Sequence, residues 1–277
     1  PQGLDYVVSF FGCLYAGLIA VPAFPPNQNR NLERIGAIVK NAKPTVALIP
    51  DSLEQRIKKI IAENTSFNEM KWLSFNSLQE EEADFKRVDI SKDSIAFLQY
   101  TSGSTSTPKG VMVTHDNLVQ NQEMIRRMFR QDSTSVILGW LPLYHDMGLI
   151  GNVLQPLYVN ATCYLMSPTK FLQNPFLWLN AISKYGATTS GGPNFAYELC
   201  SRRISREKMS ELDLSKWKVA FNGAEPINSA TLEIFAETFE STGFSPKSFV
   251  PCYGLAEATL LVSANNSETE KKTEKFD

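Results

Sequence analysis

Residues 95–113 read Ile95-Ala96-Phe97-Leu98-Gln99-Tyr100-Thr101-Ser102-Gly103-Ser104-Thr105-Ser106-Thr107-Pro108-Lys109-Gly110-Val111-Met112-Val113. The flanks, Ile95–Leu98 and Val111–Val113, are apolar runs of the kind that form buried strands. The loop between them holds six Ser or Thr residues, two glycines and one lysine. Hydroxyls and exposed backbone N–H groups bind phosphate oxygens, glycine lets the backbone approach closely, and lysine adds a compact positive charge. The loop is thus built like a phosphate cradle. It is not a Walker A loop: Gly103 and Lys109 have that spacing, but Pro108 stands where the second Gly belongs and Gly110 where Ser or Thr belongs. Val111-Met112-Val113 also reads as strand, so no helix dipole neutralises the phosphate. The bland alternative, a flexible surface loop of small residues, fits poorly with Pro108-Lys109-Gly110 between two buried strands.

Working outward, further apolar runs at Val136–Leu138, Cys163–Met166 and Val219–Phe221 alternate with helical patterns. Leu32, Ile35, Ile38, Val39 and Ala42 recur at helical spacing before the run Thr45–Ile49. Asp51-Ser52 then caps a second amphipathic helix carrying Leu53, Ile57, Ile60 and Ile61. Continuous apolar strands between helices mean sheets covered on both faces, so the fold class is α/β, with layered sheets flanked by helices. Ser190-Gly191-Gly192-Pro193 reads as a glycine-rich turn, and Glu80-Glu81-Glu82 as a solvated loop.

A chain of 277 residues with 43% hydrophobic and 20% charged residues has the composition of a globular protein, which excludes global disorder and fibrous repeats. Twenty-seven basic against 29 acidic residues leave a formal charge of −2, so no net basic field exists to hold nucleic acid or an anionic membrane. The uncharged stretch Tyr6–Asn29 imitates a membrane span, but Gly12, Gly17, Pro22 and Pro25-Pro26 interrupt it. A buried helix near residues 5–18 followed by a short strand at Ile19–Pro22 is expected instead of a membrane span. The cysteines, Cys13, Cys163, Cys200 and Cys252, lie far apart in apolar surroundings and read as buried free thiols of a reducing compartment, the cytoplasm. Opening at Pro1 rather than Met, the chain is expected to be a fragment, cut at least on its N-terminal side.

Tyr100 to Gly110 resembles the signature loop of the acyl-adenylate-forming superfamily. Three further segments fit the same family in order: Leu141-Pro142-Leu143-Tyr144-His145-Asp146-Met147-Gly148-Leu149 resembles its gate motif, Asn222-Gly223-Ala224-Glu225-Pro226 its adenine loop, and Tyr253-Gly254-Leu255-Ala256-Glu257 its Tyr-Gly-x-Thr-Glu motif. The wording around His145-Asp146-Met147-Gly148, Gly192-Pro193-Asn194-Phe195 and Tyr253–Leu260 looks like the fatty acyl-AMP ligase branch, which activates fatty acids for transfer to acyl carrier proteins. Two positions depart from the general pattern: Ser106 stands where most members have Gly, and Ala256 where they have Thr. Phosphate contacts at those two points do not carry over.

The resemblance implies that ATP and Mg²⁺ are used. Thr101, Ser102, Gly103, Ser104, Thr105 and Lys109 would hold the β- and γ-phosphates, and Glu257 the metal. Gly223, Ala224 and Glu225 would form the adenine slot, with Tyr253 stacking and Gly254 beside it. Met147, Gly192, Asn194 and Phe195 would border an acyl pocket, and His145, together with Lys109 and Glu257, would be catalytic. A neutral His145 imidazole could donate a hydrogen bond to the incoming carboxylate or the α-phosphate. Each has a plainer reading: Glu257 as a charge at a helix entry, Tyr253 and the apolar group as core, His145 as a structural histidine.

The family's Tyr/Phe-Arg-Thr-Gly-Asp segment does not occur, nor does a C-terminal lid with its lysine. Residues 1–277 are therefore expected to form a truncated version of the large N-terminal AMP-binding domain, without its third, barrel-like subdomain and without the lid. The acceptor, carrier protein or CoA, rests on branch wording alone. A serine hydrolase pairing Ser104 with His145 is disfavoured because no Gly-x-Ser-x-Gly elbow occurs.

Overall fold

The computed structural model describes residues 3–25, 32–62, 67, 70–78, 85–101 and 108–265. Ten strands are β1 (Val46–Ile49), β2 (Lys71–Ser74), β3 (Ile95–Thr101), β4 (Lys109–Thr114), β5 (Val136–Gly139), β6 (Thr162–Leu165), β7 (Thr189–Gly192), β8 (Val219–Asn222), β9 (Phe249–Gly254) and β10 (Leu261–Ala264) among the described residues. They fall in two compact units, Pro1–Asn117 and Leu118–Asp277.

In the first unit, β1 and β2 pair in parallel and β3 and β4 form an antiparallel hairpin, with Thr101 opposite Lys109. The helix Leu32–Ala42 buries Ile35 and Ile38, with Ile35 packed against Ile60, Phe67 and Met70. Asp51-Ser52, expected as a helix cap, lies in a tight turn, Asp51–Leu53, that leads into the helix Glu54–Ala62. The expected buried helix near residues 5–18 is a helix at Leu4–Tyr15 in which Phe10 is buried and Leu4, Val8 and Tyr15 are exposed. The strand expected at Ile19–Pro22 reduces to one bridge: Ala20 N–H donates to Ala96 and Ala20 C=O accepts from Leu98. Pro22 has no N–H to extend a ladder.

The second unit carries a sheet in the order β10-β9-β8-β7-β5-β6, parallel from β6 through β9 with β10 antiparallel at one edge. β7 and β8 are buried along their whole length, as expected for a sheet covered on both faces, whereas edge strand β6 is mostly exposed. The glycine-rich turn expected at 190–193 is strand through Gly192. A Cβ on Gly191 would lie 2.1 Å from the Phe221 carbonyl oxygen, so the strand tolerates only glycine there. The core is aromatic: Trp178, Trp217, Tyr197, Phe171, Phe235 and Phe239 are fully buried. Their polar ends are satisfied. Trp178 Nε1 donates to Ser190 Oγ (2.8 Å), Trp217 Nε1 to the Val219 carbonyl (3.0 Å), and Tyr197 Oη to the Phe221 carbonyl (2.7 Å).

Candidate active site

Parallel strands in one sheet release their C-terminal ends along one edge. In the second unit β5 is followed by β6 on one side and then by β7 on the other, so the chain reverses direction of growth between β5 and β7. Ligands of open α/β sheets bind outside the carboxyl ends at such a switch point. The segment containing His145 leaves β5 there, Pro193-Asn194-Phe195 leaves β7, Gly223-Ala224-Glu225 leaves β8, and Leu255-Ala256-Glu257 leaves β9.

His145 precedes the helical turn Asp146–Leu149, with its ring largely exposed. Asp146 Oδ1 accepts from the Met147 backbone N–H (2.6 Å) and lies 3.2 Å from His145 Nδ1. A carboxylate there holds the Nδ1 proton, leaving Nε2 free; Nε2 then donates to an anion only when the imidazole is doubly protonated. The neutral donor expected from sequence would need the opposite tautomer. The turn is closed tightly, because a Cβ on Gly148 would meet the Pro142 carbonyl oxygen at 2.0 Å. A turn of π-helix, Ile150–Leu154, follows, in which Asn152 is fully buried with neither amide atom hydrogen-bonded. Wide turns of this kind recur at functional sites.

Across the switch point, Gly192 lies against Trp140, whose buried Nε1 has no hydrogen-bond partner. Phe195 is 39% exposed and edges onto Trp140 at 6.2 Å, and Met147 is half-buried against the aromatic core. Asn194 faces inward: Oδ1 accepts from Asn228 N–H (3.1 Å) and Nδ2 donates to Thr231 Oγ1 (3.3 Å). Glu225 Oε1 accepts from Phe195 N–H at 2.7 Å, capping the helix Asn194–Arg203 from the neighbouring loop. The segments after β7 and β8 are thereby stapled together.

Gly223 has no room for a side chain, since a Cβ would lie 2.8 Å from both Cys252 O and Sγ, and Ala224 takes a left-handed φ of 70°. Tyr253 is 61% exposed on β9, the strand that pairs with β8. Glu257 is exposed in the short turn Ala256–Ala258. Among the described residues no group of three His, Cys, Asp or Glu side chains could hold a metal ion. A lone carboxylate suits Mg²⁺, which takes one or two protein oxygens and completes its shell with phosphate oxygens and waters.

In the first unit, Lys109 is exposed at the start of β4, opposite Thr101 at the end of β3. Gly110 packs under Tyr100, whose ring would be 2.9 Å from a Cβ there, and Tyr100 Oη donates to Asn41 Oδ1 at 2.5 Å. Ser102, Gly103, Ser104 and Thr105, read above as phosphate ligands, lie outside the described residues.

The four cysteines are free thiols, as expected, but only Cys200 is fully buried; Cys13, Cys163 and Cys252 are partly exposed. Burial pushes Cys163 and Cys252 up to about 12 and raises Cys13 and Cys200 as well, so none is poised as a nucleophile. No helix among the described residues is long and apolar enough to cross a membrane. Trp140 and Asn152 escaped the sequence reading; a polar group within an apolar strand or gate segment was the available signal.

Comparison with known proteins gives three consistent results. The profile of the family described as AMP-binding enzyme matches residues 1–276. The medium-chain-fatty-acid–[acyl-carrier-protein] ligase JamA of Moorena producens is 46% identical over 95% of this chain and 45% of its own length, and the long-chain-fatty-acid–AMP ligase FadD26 of Mycobacterium tuberculosis is 38% identical over 100% and 48%. The fatty acyl-adenylate ligase of Legionella pneumophila, solved with acyl adenylate and pyrophosphate, superposes with a TM-score of 0.89 at 46% identity, covering 96% of this chain and 46% of that one. The chain thus spans less than half the length of these relatives.

Proposed function

The chain belongs to the AMP-binding enzyme family, and from that premise we propose that the whole protein activates a fatty acid with ATP to acyl-adenylate, releases pyrophosphate, and passes the acyl group to an acyl carrier protein. The observation that carries this reading is the carboxyl edge of the second unit, where the gate, adenine-loop and Tyr-Gly segments emerge from β5, β8 and β9 on either side of a switch point. The likeness to ligases of fatty acids supports the substrate class.

In the reaction a carboxylate oxygen bonds to the α-phosphorus and the bond to the pyrophosphate oxygen breaks. Two anions meet, so the protein's work is neutralisation and alignment. His145, braced through Nδ1 by Asp146, offers Nε2 to anionic oxygen. Gly223, Ala224 and Gly254 offer backbone close to a flat base, and Tyr253 offers its ring face. Lys109 and its loop take phosphate charge. Glu257 would hold Mg²⁺, which neutralises phosphate charge when bound. The orphaned Trp140 N–H, Gly192, Phe195 and Met147 border the acyl side. Free, unreactive thiols accord with a reducing setting, the cytoplasm.

The acceptor is tested by incubating the whole protein with ATP, Mg²⁺, a fatty acid and either phosphopantetheinylated carrier protein or CoA, and weighing the products by mass spectrometry. Acylated carrier protein without acyl-CoA is the expected result. Acyl-CoA as the main product, or no acyl-adenylate at all, contradicts it.

A further inference from the structure

Asn121, in the helix His115–Phe129, is buried at 7% exposure, and its amide is spent on the hairpin that carries Glu257. Nδ2 donates to the Leu261 carbonyl at 2.9 Å and to the Ala258 carbonyl at 3.3 Å, while Oδ1 accepts from Leu261 N–H at 3.0 Å. All three bonds lie within the second unit. For the edge strand β10 this side chain does what a neighbouring strand's peptide group would do.

Between the two anchored residues sits Thr259, with φ 74° and ψ −62°. Leu260 N–H closes back on the Ala258 carbonyl at 2.9 Å, which makes a γ-turn of the strained hand. A β-branched residue at positive φ is a rare conformation that persists only where its surroundings over-determine it. Leu255 N–H bonds the Leu260 carbonyl at 3.0 Å, and a Cβ on Gly254 would meet that same oxygen at 2.1 Å. The loop 254–261 is therefore closed on itself and pinned from outside by Asn121. Glu257, exposed at its tip, makes no hydrogen bond that would fix it otherwise among those the structure shows.

We propose that Asn121 is a positioning residue for Glu257: by clamping Ala258 and Leu261 on either side of the strained Thr259, it presets the direction in which the Glu257 carboxylate meets Mg²⁺-bound nucleotide. The proposal rests on the reading of Glu257 given above. Asn121 touches no substrate and acts through the turn, as outer groups that orient a metal-binding carboxylate do.

The test is calorimetric titration of the whole protein with ATP, without fatty acid, over a series of Mg²⁺ concentrations and in EDTA. Asn121→Ala and Glu257→Gln should each raise the Mg²⁺ concentration for half-maximal binding by about tenfold, with affinity in EDTA unchanged. The double variant should be no worse than Glu257→Gln alone, because the two act through one group. Asn121→Ser, whose hydroxyl is too short to make the bonds to Ala258 and Leu261, should shift the midpoint in the same direction, and it carries the test if Asn121→Ala does not fold. An unmoved midpoint in Asn121→Ala, or in Asn121→Ser where that variant stands in, overturns the clamp while a shifted Glu257→Gln midpoint leaves the role of Glu257 standing. Equal loss of affinity in EDTA and in Mg²⁺ shows a merely structural asparagine and also overturns it. If Glu257→Gln itself moves nothing, the role of Glu257 falls and the proposal with it.

Discussion

Trp140 occupies the space in which a side chain on Gly192 would lie: a Cβ there would be 2.6 Å from Cζ2 of the indole. The ring cannot swing away cheaply, since it stacks on Phe171 at 3.9 Å and edges onto Trp178 at 5.9 Å. The two residues stand at the ends of β5 and β7, on either side of the switch point. Gly192→Ala should therefore destabilise the fold by about 1–3 kcal/mol, the usual cost of overpacking. Urea unfolding measures this, and an unchanged midpoint would show that the indole has room to move.

Ala224 holds a left-handed φ of 70° in the loop after β8 while remaining exposed. Ala224→Gly removes the Cβ penalty, partly offset by the larger entropy loss of glycine, so stability should rise by about 0.5–1 kcal/mol. If the loop's backbone shape is what accommodates adenine, the KM for ATP should not change. A lower melting temperature would contradict the strain.

Arg126 and Arg127 hydrogen-bond Glu123 at 2.7 and 2.6 Å, and Arg126 first, then Arg127, hold its carboxyl well below the ordinary 4.5. A depressed folded-state value stabilises the fold above the unfolded value and loses that contribution as pH falls through the folded one. The stability difference between wild type and Glu123→Gln should thus be constant at neutral pH and shrink as pH drops below 4.5. Denaturant melts across acidic pH would show it; a difference that grew toward acid would reverse the sign.

Lys109 stands opposite Thr101 where β3 and β4 meet their connecting loop. In the whole protein Lys109→Ala should weaken pyrophosphate-linked steps by about 1–3 kcal/mol, the range for one charge-assisted hydrogen bond. Unchanged kinetics of ATP–pyrophosphate exchange would remove Lys109 from the phosphate site.

Strands built from apolar runs were legible in the sequence, as Ile95–Leu98, Val136–Leu138 and Val219–Phe221 show. β7 was not, because Thr189-Ser190-Gly191-Gly192 has no apolar side chain; its glycines answer to the Phe221 carbonyl and the Trp140 ring, which are distant in sequence. Thr114 caps the helix His115–Phe129, its hydroxyl accepting from Asn117 N–H at 3.1 Å. The site segments stood out because close backbone approach demands glycine and odd polar residues in short loops. Asn121 left no such mark: an asparagine in a helix reads as surface until the carbonyls of Ala258 and Leu261 are brought to it.

The central claim is fatty-acid adenylation, and the most direct measurement is ATP–pyrophosphate exchange by the whole protein with carboxylic acids from acetate to palmitate. Exchange that depends on added fatty acid, with kcat/KM climbing as each buried methylene contributes about 0.8 kcal/mol until the pocket ends, is the predicted result. Exchange supported best by acetate, an aryl acid or an amino acid, or by no acid at all, would contradict it.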